Sequence, residues 1–378
     1  MVAIIAKVTE ACNSYCAYCD VVTKPHQQTA TMTGAVLECL YQRVNDYLAE
    51  DRRRSCEIIW HGGEPLLAGV EFYTTAAELC EKLCPTTRHR INHSLQTNLT
   101  QLTGAFIAPL RRLGITSVGT SYDPITGIRG PGRERRRSGV YNHQFMRGVR
   151  ILEQAGFGWG LIYVVTRQSL ADPVGLFYFL TNLSPRGSVM FNPVLLYGDD
   201  PLNLAITPEE YVDFLGAIFP IWWKHRERYP HCSPFKSLTD NIVHRSQVFS
   251  CGDAGRCHGT HLNVAPDGAV SQCGRSADWK LLDYGSLFDH SIVEILAHPE
   301  REPLRQRDAV LASSECADCR FWTLCHGGCP LDAWADQKSF HHKTAWCEAK
   351  RGFIEKYFEP ITGVRYESAE NSLPKPGC

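Results

Sequence analysis

Cysteine spacing constrains this chain more than any other feature. Three thiols, Cys12, Cys16 and Cys19, fall within the stretch VTEACNSYCAYCD at residues 8–20. Eight more crowd the last third, at Cys251, Cys257, Cys273, Cys316, Cys319, Cys325, Cys329 and Cys347. The chain has 378 residues and 17 cysteines, an odd number, and its opening MVAIIAKVTE holds too short an apolar run for a secretory signal. A cytoplasmic setting is therefore expected, and in a reducing compartment dense, patterned cysteines point to metal rather than to disulfides. The 39 basic and 40 acidic side chains leave a formal charge of −1. No run approaches the roughly 18 apolar residues of a membrane span. Neither nucleic acid nor a membrane is expected as a partner.

The first 200 or so residues alternate between strand-like and helix-like stretches, the pattern of βα units and a parallel sheet. Strands are expected at AIIAKVT (3–9), CEIIWHG (56–62), RINHSLQTN (90–98), SVGTSYD (117–123), GWGLIYVVT (158–166) and SVMFNPV (188–194). Apolar residues at spacings of three and four predict helices over 33–50, 70–84, 103–113 and 207–229. The fold class expected is α/β, a partial (β/α)6 TIM-like barrel followed by a Cys-rich domain. Residues 1–240 would form the barrel, 241–362 the Cys-rich domain and 363–378 a tail. HLNVAPDGAVSQCGR (261–275) reads as a hairpin turning at Asp267-Gly268. The basic run RERRR (133–137) reads as a solvated loop. In parallel βα folds ligands sit at the carboxyl ends of the strands, and the motifs below fall there.

Three cysteines in this loop can each reach one iron of a cubane cluster, leaving the fourth iron open. Zinc, the competing metal, takes four protein ligands in paired units, and the nearest further cysteine is Cys39 in an apparent helix. WHGGEPLL (60–67) adds a Gly-Gly turn with an acid and a proline at a strand end. Glycines there let backbone approach closely, and carbonyls with a carboxylate suit an ammonium group. A plain turn before a helix with proline near its first position is the alternative.

Together these stretches resemble the radical SAM superfamily, with Tyr18 as the aromatic directly before the last cysteine of the loop. The resemblance implies that S-adenosylmethionine (SAM) chelates the open iron and that Gly62, Gly63, Glu64 and Pro65 receive its amino group. LQTNLT (95–100) resembles the strand end that presents Thr97 and Asn98, with Leu99 where the family commonly has glycine. TSYDPITGIR (120–129) resembles the end where Ser121 and Asp123 face the cofactor. Arg129 would meet its carboxylate or ribose, Arg133 being the alternative. YVVTRQ (163–168) resembles the strand lining the adenine.

The eight later thiols make two complete sets of four, the count of closed clusters that expose no iron. Their spacing, ending in CADCRFWTLCHGGCP, resembles the SPASM domain of radical SAM enzymes that modify peptides. By that resemblance Cys251, Cys257, Cys273 and Cys329 hold one auxiliary cluster, and Cys316, Cys319, Cys325 and Cys347 the other. Cys39, Cys56, Cys80, Cys84, Cys232 and Cys378 fit no further cluster and read as buried small side chains or, for Cys378, a tail thiol.

The implied cofactors are three [4Fe-4S] clusters and SAM, with Cys12, Cys16 and Cys19 as the catalytic cluster's ligands. The implied activity is hydrogen abstraction from a side-chain carbon of a ribosomal precursor peptide by a 5′-deoxyadenosyl radical, giving an oxidised or cross-linked, cyclophane-type product. Relatives that convert a sulfatase Ser or Cys to formylglycine carry an acid as base just after the third SPASM cysteine, where this chain has Gly274. Cross-linking is therefore ranked above sulfatase maturation. A small-molecule dehydrogenase and a non-enzymatic electron carrier are the remaining alternatives. Expected partners are the precursor peptide and an electron donor such as flavodoxin or ferredoxin. With the first strand beginning near residue 3, the expectation is that either a separate leader-binding protein presents the precursor or the barrel and SPASM surfaces grip it directly.

Overall fold

The structure is a computed structural model and describes residues 1–19, 30–196 and 198–367. All six predicted strands form: β1 (Val2–Thr9), β2 (Cys56–Gly62), β3 (Ile91–Thr97), β4 (Ser117–Ser121), β5 (Gly158–Val165) and β6 (Val189–Pro193). Four short strands follow, β7 (Cys232–Ser233), β8 (His261–Val264), β9 (Ala269–Ser271) and β10 (Asp283–Ser286). The helices between and after the first six strands are α1 (Gly34–Glu50), α2 (Val70–Leu83), α3 (Ile107–Arg112), α4 (Ser138–Gln154), α5 (Pro173–Leu183) and α6 (Pro208–Lys224). The helix expected over 207–229 ends at Lys224, and the chain turns through His225 ahead of Pro230. Strand β4 stops two residues early because Asp123 Oδ1 accepts from Ile125 N, folding the chain into a local turn.

The chain packs as two compact units, Met1–Tyr163 with His258–Arg301, and Val164–Cys257 with Glu302–Cys378. In the first unit β1 is central, pairing in parallel with β2 on one side and β8 on the other. The strand order there is β10-β9-β8-β1-β2-β3-β4-β5. The expected hairpin is β8–β9, closed by Ala265 N donating to Ala269 O, with Gly268 at φ +90° where a side chain would be strained.

Period-two alternation gives the sheet two different faces. On β2, Cys56, Ile58 and Trp60 are fully buried, and Trp60 meets Phe72 and Tyr73 edge-on at 5.8 and 6.3 Å. Glu57, Ile59 and His61 on the opposite face are only partly covered. Lys7 and His61 are register partners on that polar face. In the second unit the core is aromatic: Phe219 of α6 contacts Trp222, Phe235, Phe353 and Phe358.

Leu99 has a left-handed backbone, φ 62°, which explains why glycine suits this position. Its side chain is fully buried against α4, where Gly148 makes the room: a Cβ there would lie 2.5 Å from Leu99 O and 2.8 Å from Leu99 Cβ. Gly148→Ala in an ordinary helix would stabilise by about 1 kcal/mol. Here the expected outcome is the reverse, a loss of about 1–3 kcal/mol from overpacking. Urea denaturation measures it, and a gain in stability would refute the contact.

Candidate functional site

The three-thiol loop leaves β1 at Thr9 and is held from three sides. Gly63 N donates to Thr9 O and Glu64 N to Ala11 O, both at 2.8 Å. This approach is possible only without side chains, since a Cβ on Gly62 would lie 2.1 Å from Thr9 O and one on Gly63 2.3 Å from Ala11 O. Asn13 reaches the end of β3, donating to Thr100 Oγ1 at 2.7 Å and accepting from Asn98 Nδ2 at 2.9 Å. The segment after β4 closes the third side: Ala17 N donates to Ile128 O at 2.9 Å and Gly132 N to Asn13 O at 2.8 Å.

Within the loop, Ser14 N donates to Cys12 Sγ at 3.4 Å and Cys19 N to Cys16 O at 3.2 Å. Burial pushes the Cys12 thiol up to about 12, and the neighbouring Glu64, Cys16 and Cys19 push the same way against the Ser14 N–H. The three thiols are thus electrostatic neighbours.

Glu64 is fully buried. Its Oε1 accepts from Thr97 Oγ1 at 2.6 Å and Leu66 N at 2.9 Å, and its Oε2 from Asn98 N at 2.8 Å. These contacts use three of the roughly four acceptor positions of a carboxylate. Burial still raises its pKa, with the three donors pulling down. Pro65 opens a short 3-10 turn over Pro65–Ala68 that Glu64 caps.

Arg129 is buried, and its guanidinium is already engaged. Nε and Nη2 donate to Tyr18 OH at 3.1 and 2.6 Å, and Nη1 to Ser121 O at 2.8 Å, Ser121 Oγ at 3.1 Å and Tyr141 OH at 3.1 Å. It therefore clamps the aromatic of the Cys loop to the end of β4. Arg133 is exposed and lies over the Tyr15 ring at 5.1 Å.

The donor set fits a cluster and a polar cofactor. Besides the thiols, Ser14 Oγ, Thr120 Oγ1 and Asp123 Oδ2 are buried without a hydrogen-bond partner among the described residues, and buried polar atoms are normally satisfied. Burial pushes Asp123 up to about 7, with the Ile125 N–H and Arg129 opposing. Among the described residues no three His, Cys, Asp or Glu side chains close on a point that would hold a single metal ion.

In the second unit the thiols of Cys316, Cys325, Cys319 and Cys347 are mutual neighbours, and burial followed by those three raises Cys316 to about 11. Cys257, Cys329 and Cys316 are the thiols felt by Arg307. Cys273 lies in the first unit, at the start of the short helix Gly274–Asp278. Cys39, Cys56, Cys80, Cys84 and Cys232 are buried, as expected, and Cys378 lies outside the described residues.

Sequence reasoning missed Asn13 and Thr100, which pair with each other 87 residues apart in the chain, and Tyr141, 12 residues from its partner Arg129. It also missed Lys7, nearly buried on β1, whose Nζ lies 2.7 Å from Asp278 Oδ1 and 3.4 Å from Gly274 O. A lysine inside an otherwise apolar strand was the available signal.

Residues 6–180 match the model of the Radical SAM superfamily, and residues 251–320 that of the SPASM iron–sulfur cluster-binding domain. The chain therefore carries a radical SAM domain with a SPASM domain, and SAM and [4Fe-4S] clusters are the cofactors these domains bind. More particularly, it is 28% identical over 329 residues to a serine-type anaerobic sulfatase-maturating enzyme of Klebsiella aerogenes, covering 85% of this chain and 77% of the relative. It is 22% identical over 374 residues to a cysteine-type anaerobic sulfatase-maturating enzyme of Clostridium novyi, covering 96% of each. A solved structure of anSMEcpe with bound AdoMet shares the fold, with a TM-score of 0.80 at 22% identity over 96% of this chain and 98% of that one. Streptococcus suis SuiB bound to its precursor peptide SuiA also shares the fold, with a TM-score of 0.62 at 14% identity over 92% and 76%. The chain is an enzyme of the oxidoreductase type. Among the described residues no helix is long and apolar enough to cross a membrane.

Asp123 supplies a pH test of the pocket. Its folded pKa of about 7 lies above its ordinary value of 3.8, so the native state holds a proton that the unfolded chain releases. Its contribution is fully present below about pH 4 and is lost as pH rises to about 7, at no more than about 1.4 kcal/mol per pH unit. Asp123→Asn should flatten this component in denaturation of the cluster-free protein across that window. Equal slopes for the two proteins would show that the acid is not buried as described.

Proposed function

We propose that this enzyme is a radical SAM maturase acting on a side chain of a peptide or protein. When bound at Cys12, Cys16 and Cys19, the cluster with SAM supplies the radical that removes a hydrogen from a substrate carbon. The chain's own residues position and shield. Glu64 fixes the ends of β2 and β3, Arg129 with Tyr18 fixes the loop against β4, and Asp123, Ser14 and Thr120 offer polar atoms to the cofactor. Gly62, Gly63, Pro65, Asn98 and Ser121 complete the pocket.

The observation that carries the peptide reading is the second cysteine set, in which Cys316, Cys319, Cys325 and Cys347 lie together in the second unit. A full auxiliary module gives the electron released on product formation somewhere to go. The relatives' names, sulfatase-maturating enzymes, and the precursor peptide bound by SuiB support a peptide or protein substrate.

For the product we favour a cross-link of the cyclophane type, because Gly274 offers no carboxylate at the position where formylglycine formation needs a base. Formylglycine formation is the second reading, favoured by Asp278, an acid one helical turn beyond Gly274 and oriented by Lys7. Flavodoxin or ferredoxin as electron donor, and a separate leader-binding protein, belong to the same proposal.

The test is anaerobic incubation of reconstituted enzyme with SAM, dithionite and two peptide sets, one bearing a sulfatase-type Ser or Cys, the other an aromatic residue beside an aliphatic one. Loss of hydrogen without aldehyde reactivity supports the cross-link. An aldehyde trapped by a hydrazine supports formylglycine. 5′-Deoxyadenosine without change in either set would sink the peptide reading. Glu64→Gln replaces one acceptor oxygen by an amide that faces existing donors, so 5′-deoxyadenosine formation should fall by roughly tenfold or more, matching the about 1.5–3 kcal/mol of a charged hydrogen bond. An unchanged rate would remove Glu64 from the site.

A further inference from the structure

Arg307, in the helix Glu302–Ala312, is a buried cation whose guanidinium meets only neutral acceptors among the described residues. It is 3% exposed. Nε donates to Phe340 O at 2.7 Å, Nη1 to His326 O at 2.8 Å, and Nη2 to Gly327 O at 3.0 Å and His342 O at 2.7 Å. Carbonyls satisfy its hydrogens without cancelling its charge, and a buried charge is costly unless something compensates it. Burial pushes its pKa down, and the groups pushing back are Cys329, Asp308, Cys257 and Cys316. Asp308 is partly exposed and lies 3.1 Å from His326 Nδ1, so it is shared with another partner. The remaining compensating groups are cysteine thiols.

The carbonyls also identify the place. His326 and Gly327 belong to the link Cys325-His326-Gly327-Gly328-Cys329, whose two end cysteines were assigned to different auxiliary sets. His326, Gly327 and Gly328 all have positive φ, at 46°, 73° and 77°. A Cβ on Gly327 would lie 2.4 Å from Leu311 Cδ1, and one on Gly328 2.2 Å from Thr344 Cγ2. The link is therefore pressed into a tight left-handed course that turns two carbonyls onto Arg307.

We propose that Arg307 is a redox-tuning residue placed beside both auxiliary ligand sets, whose fixed positive charge raises the reduction potential of the cluster that takes Cys257 and Cys329. This rests on the reading that Cys257 and Cys329 serve one auxiliary cluster and that Cys316, Cys319, Cys325 and Cys347 serve another. In the step it serves, the substrate radical loses one electron and one proton. The proton would pass to a carboxylate base, and an auxiliary cluster held by these thiols would accept the one electron. A cation held in low dielectric stabilises the added negative charge, and cluster potentials respond to net charge and to burial. Arg307 touches no substrate and acts through the cluster.

The experiment compares reconstituted wild type, Arg307→Gln, Arg307→Lys and Asp308→Asn by iron and sulfide counts and by potentiometric titration followed by electron paramagnetic resonance. Arg307→Gln should lower the potential of one auxiliary cluster by about 59 mV, a tenfold change in a one-electron equilibrium, and leave the SAM-binding cluster unmoved. Arg307→Lys should restore most of the shift, and Asp308→Asn should move the same cluster upward. Full iron with unshifted auxiliary potentials in Arg307→Gln overturns the proposal, as does Arg307→Lys matching Arg307→Gln. If Arg307→Gln holds no auxiliary iron, Asp308→Asn decides: an upward shift supports the proposal and none overturns it. A wild type with a single cluster would instead overturn the ligand-set reading on which the proposal stands.

Discussion

The carboxylate of Glu64 is buried in the first unit, and it is tolerated there because Thr97 Oγ1, Asn98 N and Leu66 N all direct hydrogens at it. That one group ties the end of β2 to the end of β3. Its own backbone N–H, with that of Gly63, reaches across to Ala11 and Thr9, so the same turn also carries the three-thiol loop. Three strand ends are thereby held in register at the place where ligands bind in parallel sheets. The loop can then be short and irregular without losing its position, because its backbone groups are satisfied from outside rather than by secondary structure of its own.

Arg129 and Arg307 show two uses of a buried guanidinium. Arg129 is surrounded by hydroxyls and a carbonyl from Tyr18, Ser121 and Tyr141, and its planar fork joins the Cys loop to β4. Arg307 is surrounded by carbonyls that carry no charge, and the groups that oppose its burial are Cys329, Asp308, Cys257 and Cys316. In both cases the fork fixes local geometry beside cysteines. Thiols are among the groups that oppose the burial of either charge, but only in the second do the guanidinium hydrogens go to backbone carbonyls alone among the described residues.

Much of this was legible in the linear order. The six strands and the hairpin at Asp267-Gly268 were readable because period-two alternation and turn chemistry are local properties. The departure at Leu99 was visible as a missing glycine. Its left-handed backbone and the room left by Gly148, 49 positions later, were not, because that compensation is made between a strand end and a helix. Glu64 and Arg129 were expected from their motifs to meet the cofactor. The structure shows most of their hydrogen-bonding capacity already taken by the protein. Motif matching names a residue but cannot count its occupied lone pairs or hydrogens.

The sequence alone determined the number and spacing of the thiols, three near the start and eight near the end, and the alternation that makes an α/β fold, because both follow from residue type and order. Only the tertiary structure decided that Cys273 belongs to one compact unit and Cys251, Cys257 and Cys329 to the other, that Lys7 meets Asp278, and that Arg307 faces the link between Cys325 and Cys329. Such pairings join residues up to 271 positions apart. They arise from strand order and buried hydrogen bonding, which depend on the whole chain at once and leave no trace in local spacing.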